Sequence, residues 1–333
     1  MSTGNNLIFL ISQPRAGSTL LQKVLGAHPE IHTLSEPWIA LHPLFALRAQ
    51  GASANYSHAL AHAATTDFLA HIPGGENTYY EGVRLLLNHL YNAALAPSGK
   101  SLFLDKTPRY YLIIDELRRV FPDARFVFLI RNPLAVFSSI LEAWIHKPHF
   151  GHQYAFRYDL MHDLFTAPEL LAHAIANPAP NTAVIHYEDL VKSPADTVTR
   201  LCQQLHLPFH HEMIEYGKNP KAQRWTFGDQ RTVYSEQNPI PTRADRWQRV
   251  LPANPGWHRL AHSYLQTLGP CRTEPLGYNF ASLAAALGPP DSPTGDFLSH
   301  TVLTPFYGDS CNYVAQLTFI QEAISRAQCP TPQ

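Results

Sequence analysis

Charge is what this chain has least of. Only 15% of its 333 residues are Asp, Glu, Lys or Arg, and 26 acids nearly cancel 25 bases. Bulk charge therefore marks no nucleic-acid groove, and any anion must be met by individually placed Arg and Lys. Cysteine is sparse as well. Cys202, Cys271, Cys311 and Cys329 are the four, and no two form a Cys-x-x-Cys pair. Histidines are many (19) but scattered. The pairs His58/His62 and His210-His211 lack a third ligand at metal spacing, so no metal site is expected. No apolar run reaches the length that spans a bilayer. The run after the polar start Met1–Asn6 is too short for a signal segment, and a soluble, cytoplasmic-type protein is the expectation. Finally, no Gly-x-x-x-x-Gly-Lys-Ser/Thr phosphate loop occurs.

What the chain does have is apolar material, 45% of residues with 11% aromatic, ample for a large core. Short apolar runs alternate with helical patterns. Leu7–Ile11 reads as a buried strand, followed by a helix over Ser18–Ala27. Ser35-Glu36-Pro37 reads as the start of a second helix, with Ser35 as cap and Pro37 in the first turn. Residues 40–100 read as mostly helical, broken by Pro73-Gly74-Gly75. Further strands are expected at Ser101–Leu104, Arg125–Ile130 and Thr182–Ile185, with helices over Tyr110–Val120, Leu134–Trp144 and Ala195–Leu205. Cys202 falls on the apolar face of the last of these. Such alternation predicts an α/β fold with a central parallel sheet and flanking helices. Residues 1–287 are expected to form one domain, and 288–333, opening on Gly288-Pro289-Pro290, a linker and a small C-terminal extension.

Ligands of parallel sheets bind beyond the carboxyl ends of the strands, and the polar clusters of this sequence fall at those ends. The first is Ser12-Gln13-Pro14-Arg15-Ala16-Gly17-Ser18-Thr19, between a strand and a helix. Unpaired amides at such a helix start, with the helix dipole, favour an anion. Here the anion would be held by backbone, hydroxyls and the Arg15 guanidinium. The others are Asp105-Lys106-Thr107-Pro108, Arg131-Asn132-Pro133 and His186-Tyr187-Glu188-Asp189-Leu190. A basic, aromatic stretch follows from about 218 to 257, with Lys221, Arg224, Trp225, Arg231, Arg243, Arg246 and Trp247.

From about residue 7 to 250 these blocks resemble, in order, those of sulfotransferases that use 3′-phosphoadenosine 5′-phosphosulfate, in the bacterial and tyrosylprotein branch. Pro14–Thr19 is similar to the family's 5′-phosphosulfate loop. Arg131-Asn132-Pro133 with Ser139 is similar to its 3′-phosphate block. Tyr187-Glu188-Asp189-Leu190, then Pro194, Leu201-Cys202 and Leu207-Pro208-Phe209, resembles another shared stretch. Arg246-Trp247 resembles the late pair that closes over the nucleotide. The resemblance implies the P-loop-like nucleotide-binding fold of sulfotransferases, and that phosphosulfate donor as co-substrate with no metal. It implies nucleotide contacts from Arg15, Ala16, Gly17, Ser18, Thr19, Arg131, Ser139, Tyr187 and Arg246. It implies a catalytic set of Glu36 as general base, Lys106 and Arg15, acting on a hydroxyl-bearing acceptor. That acceptor is a small molecule, sugar, lipid, carrier-bound chain or peptide, with neither nucleic acid nor membrane as partner. Ala16 departs from the commonest loop, which has Ser or Gly there, but still carries an amide. His71 and His89 are the alternative bases. A P-loop kinase-like phosphotransferase and a catalytically silent nucleotide-binding protein are the competing readings. The first lacks the loop Lys and leaves Arg131 and Ser139 without a role; Glu36 and Lys106 argue against the second.

Overall fold

The computed structural model describes residues 3–145, 160–218 and 236–290. Its frame is a five-stranded sheet of β1 (Leu7–Ser12), β2 (Ile31–Thr33), β3 (Leu102–Lys106), β4 (Arg125–Ile130) and β5 (Thr182–His186). The spatial order is β2-β3-β1-β4-β5, and every pairing is parallel. β1 is central and buried along its whole length, which explains its unbroken apolar run: both faces are covered, so neither needs polar residues. Side chains alternate between the faces. Leu7, Phe9 and Ile11 enter a core with Tyr91, Tyr110, Phe121 and Phe126. Ile8 and Leu10 enter a second core, with the helix α1 (Ser18–Gly26) and Cys202. Burial pushes the Cys202 thiol up to about 11, so it is a core residue and no nucleophile at neutral pH.

The chain leaves β1 through α1, reaches the edge at β2, returns to β3, and then crosses to β4 on the other side of β1. The order therefore reverses around β1, which places the ligand crevice at the carboxyl ends of β1 and its neighbours. Helix α5 (Ile114–Val120) leads into β4, and a third core packs α6 (Pro133–Ile140) against the late helices Trp247–Val250, Pro255–Leu268 and Phe280–Leu287.

Most of the expected elements are present, within a residue or two. The break at 73–75 separates helix α3 (His58–Ala70) from α4 (Glu76–Leu95), with Gly74 and Gly75 both at positive φ. Two readings need correcting. No helix begins at Ser35: residues 34–40 are irregular, and the next helix, α2, covers only Leu41–Phe45. Trp38, at φ 57, turns the chain into the left-handed region, which a helix cannot cross. The second concerns β2, which is not among the expected strands, its three residues being too short to show as an apolar run. After α6 the helix widens into a π turn over Leu141–Ile145.

The basic residues Lys221, Arg224, Trp225 and Arg231, and the expected extension beyond Pro290, lie outside the described residues. Among the described residues no helix is long and apolar enough to cross a membrane.

Candidate active site

The loop after β1 is shaped by two left-handed residues, Arg15 at φ 68 and Gly17 at φ 100. Between them Ala16 is fully buried, and its N–H donates to the carbonyl of Gln13 (3.1 Å). That amide closes the turn, so the donors left for an anion are those that follow it. The carbonyl of Gly17 receives the N–H of both Leu20 and Leu21, and no side chain caps this helix start. Ser18 and Thr19 are buried within it.

Gly17 is required for a second reason. A Cβ there would lie 2.5 Å from Cε2 of Tyr187, the residue just beyond β5. The Tyr187 ring also carries the Arg131 guanidinium, 4.1 Å from its centroid. Arg131 follows β4. Its Nη1 donates to the carbonyl of Arg15 (3.0 Å) and its Nη2 to that of Arg243 (3.2 Å). Its Nε is buried with no partner among the described residues. Burial lowers its pKa, but arginine stays charged regardless. Arg15 Nε donates to Ser139 Oγ (3.2 Å), on α6. Asn132 caps that helix through the amides of Leu134 (2.9 Å) and Ala135 (3.3 Å).

Glu188 supports this end of the site, a role not visible in the sequence. One carboxylate oxygen accepts the Asn132 N–H (3.0 Å) and the other the Tyr278 hydroxyl (2.7 Å). Arg246 pairs with Glu142 at 2.6 Å, about half exposed, while Trp247 is buried in the third core.

At the other end, Lys106 closes β3. Its ammonium donates to Oε1 of Glu36, and the lysine side chain is wholly buried. Oε2 of Glu36 accepts the indole N–H of Trp38 (3.1 Å). Behind them Asp105 accepts hydroxyls from Tyr91 (2.7 Å), Thr107 (2.8 Å) and Tyr110 (3.1 Å). Burial pushes its carboxyl up to about 6 against the pull of those three donors. His71 and His89 are exposed, and His71 bonds the Asp67 carbonyl of its own helix. Among the described residues no group of three His, Cys, Asp or Glu side chains is placed to hold a metal ion.

The sheet order arranges these residues in a row. Along the carboxyl edge stand Glu36 beyond β2, Lys106 at β3, the 13–19 loop at β1, Arg131 at β4 and Tyr187 at β5. An acid–ammonium pair occupies one end, an uncapped helix start the middle, and a guanidinium on an aromatic ring the other end.

Comparison with known proteins identifies the family. A profile of the sulfotransferase family matches residues 7–211, and the chain belongs to that family. Over 142 residues it is 34% identical to nodulation protein NoeE of Sinorhizobium fredii, covering 41% of this chain and 32% of that protein. Over 213 residues it is 23% identical to protein-tyrosine sulfotransferase 1 of Danio rerio, covering 62% of this chain and 56% of that one. The chain thus spans less than two thirds of either. The sulfotransferase domain of the Synechococcus PCC 7002 olefin synthase superposes with a TM-score of 0.50 at 20% identity, over 83% of this chain and 94% of the domain, which establishes a shared fold.

Proposed function

We propose that this protein transfers a sulfuryl group from 3′-phosphoadenosine 5′-phosphosulfate to a hydroxyl group. The observation that carries the reading is the Glu36–Lys106 pair, whose lysine ends the strand beside the one that bears the anion loop. When bound, the donor supplies an activated sulfuryl group on a phosphate leaving group. The residues present fit it. The uncapped start of α1 offers amides and hydroxyls of Gly17, Ser18 and Thr19 to the 5′-phosphate. The unpartnered Arg131 Nε, with Ser139 nearby through Arg15, offers a site for the 3′-phosphate. Tyr187 would flank the nucleotide and Arg246 would cover it.

Glu36 accepts the proton of the attacking hydroxyl. Lys106 and Arg15 meet the charge that builds on the departing oxygen, which is electrostatic stabilisation of the kind phosphoryl transfer also needs. Lys106 also donates to Glu36 in the resting site, which fixes the carboxylate that is to take the proton. No step in this scheme requires a divalent ion. The acceptor class stays as broad as a hydroxyl-bearing small molecule, sugar, lipid, carrier-bound chain or peptide. The name of the Danio rerio relative makes a phenol the first acceptor to try.

The test is transfer of labelled sulfuryl from the donor to phenolic and alcoholic acceptors, with and without EDTA. Transfer should survive EDTA. Glu36→Gln should lower turnover by roughly 10²-fold or more while retaining donor affinity. A phosphotransferase would instead use ATP and lose activity with EDTA. Normal turnover by Glu36→Gln would remove Glu36 as the base.

A further inference from the structure

We propose that Trp38 is a positioning residue for Glu36, and that a Gln13–Asp163–Arg109 bridge fixes this pair relative to the anion loop. The proposal rests on the reading of Glu36 as the base.

The two oxygens of Glu36 are held by different donors. Lys106 takes Oε1 from the sheet, and the Trp38 indole N–H takes Oε2 at 3.1 Å from the irregular segment. Two donors from different directions fix the plane of a carboxylate, where one would leave it free to rotate. Each oxygen keeps a second lone pair for an incoming proton. Trp38 holds this position with its backbone in the left-handed region, at φ 57. A bulky residue in that conformation carries strain that the surroundings must offset. The amide of Ala40 is tied to the Tyr110 hydroxyl (3.1 Å), and the carbonyl of Trp38 accepts the N–H of Leu41 (3.3 Å). Both bonds hold the turn.

The indole ring is held in turn. The Arg109 guanidinium lies 5.5 Å from the centroid of the Trp38 ring, within cation–π range. Arg109 cannot swing away easily, because Nε and Nη2 grip the two carboxylate oxygens of Asp163 at 3.0 and 2.7 Å. Asp163 is fully buried and also accepts the Tyr111 hydroxyl (2.8 Å). Its backbone carbonyl accepts Nε2 of Gln13 at 2.7 Å. Gln13 opens the anion loop, two residues before Arg15. One continuous path thus joins the loop to the carboxylate: Gln13, Asp163, Arg109, Trp38, Glu36. General-base catalysis needs the base within hydrogen-bond reach of a hydroxyl lined up on the donor, and small misplacements are costly. The path supplies that registration between two segments more than twenty residues apart.

The experiment uses the full chain labelled with ¹⁵N-tryptophan, together with Trp38→Phe and Glu36→Gln. Trp38→Phe keeps an aromatic ring beneath Arg109 and removes only the N–H; it also assigns the Trp38 indole signal by its disappearance. That signal should move in Glu36→Gln, because its acceptor changes from a carboxylate to an amide. An unmoved signal overturns the contact and the proposal with it. Labelled-donor turnover, read with an acceptor found as above or with water, should fall about 10-fold in Trp38→Phe, while affinity for adenosine 3′,5′-bisphosphate stays unchanged. A merely structural role would lower affinity and melting temperature along with turnover, and that outcome counts against positioning. Full turnover in Trp38→Phe beside lost turnover in Glu36→Gln overturns the proposal and leaves the base intact. Full turnover in Glu36→Gln instead overturns the base itself.

Discussion

Gly17 and Tyr187 stand ring against backbone, across 170 residues of sequence. No side chain fits between them: a Cβ on Gly17 would sit 2.5 Å from the ring carbon Cε2, and the residue's φ of +100 is one that L side chains rarely adopt. Gly17→Ala therefore meets two penalties, left-handed strain and overpacking. Together they should cost about 2–4 kcal/mol, read by urea denaturation, and bisphosphate binding should weaken as Tyr187 is pushed aside. Gly82→Ala is the matched control. Gly82 lies inside α4 with nothing within 4 Å of its added Cβ, so that change should stabilise by about 0.5–1 kcal/mol. If both substitutions behave alike, the Gly17–Tyr187 contact is not what the loop requires.

Arg131 supports the loop through its Nη atoms, and its unpartnered Nε is the atom proposed for the 3′-phosphate; the two roles would separate by nucleotide. Adenosine 3′,5′-bisphosphate should raise the melting temperature clearly more than AMP, which lacks the 3′-phosphate. Binding to the native state stabilises by RT ln(1 + [L]/Kd). Arg131→Ala should abolish that difference, with a loss on the order of 2 kcal/mol in bisphosphate affinity. It should also lower stability without ligand, because the carbonyls of Arg15 and Arg243 lose their donor. Equal shifts from both nucleotides in the unmodified protein would remove the 3′-phosphate assignment.

Much of this was legible in the residues, and the exceptions have physical causes. Strands buried on both faces announce themselves as apolar runs, so β1, β3 and β4 could be read directly, and β5, an edge strand with every second residue buried, still showed as a short apolar run. β2 could not, since three residues carry no pattern. Ser35-Glu36-Pro37 has good helix-start chemistry and apolar residues at helical spacing follow it, yet the helix begins only at Leu41. The bonds of Trp38 to Glu36 and to Arg109 hold a different backbone there. The residues lining the strand ends could be named because each ends or follows its own strand. Their partners could not: Asp163 meets Arg109 across 54 residues and Gln13 across 150, and Glu188 meets Tyr278 across 90. Local sequence carries no sign of such pairings.

Asp105 gives a pH dependence whose sign is opposite to that of an ordinary salt-bridged acid. Burial raises its carboxyl from an ordinary 3.8 to about 6, so the folded state prefers the proton. Its favourable contribution is complete below about pH 4 and is lost as pH rises through 6. The rise is worth about 3 kcal/mol for this buried group. Other carboxylates titrate over the same range, so the comparison must be with a variant that cannot. Stability of the unmodified protein relative to Asp105→Asn should fall by up to that amount between pH 4 and pH 7. Urea denaturation at several pH values measures it. A constant difference across the range would mean that Asp105 titrates normally and that its three hydroxyl donors outweigh its burial.

Arg246 offers the sharpest check on the late segment, because its present partner competes with its proposed one. It sits at the start of the Trp247–Val250 helix, whose buried Trp247 fixes the backbone in the third core. Its side chain, about half exposed, pairs with Glu142 at 2.6 Å. Glu142 belongs to the π turn that continues the helix bearing Ser139, so the pair lies beside the residues proposed for the nucleotide. An exposed ion pair of this kind contributes little to stability, and removing either partner should change unfolding free energy by no more than about 0.5 kcal/mol. Binding should respond in opposite directions. Arg246→Ala removes a cation that would cover the nucleotide, so bisphosphate affinity should fall. Glu142→Gln removes the competing carboxylate and frees the guanidinium, so affinity should rise. Calorimetric titration of the two variants with adenosine 3′,5′-bisphosphate, at low and moderate salt, measures both, and the differences should shrink as salt screens them. Equal affinities in all three proteins would confine Arg246 to a surface ion pair and remove it from the site.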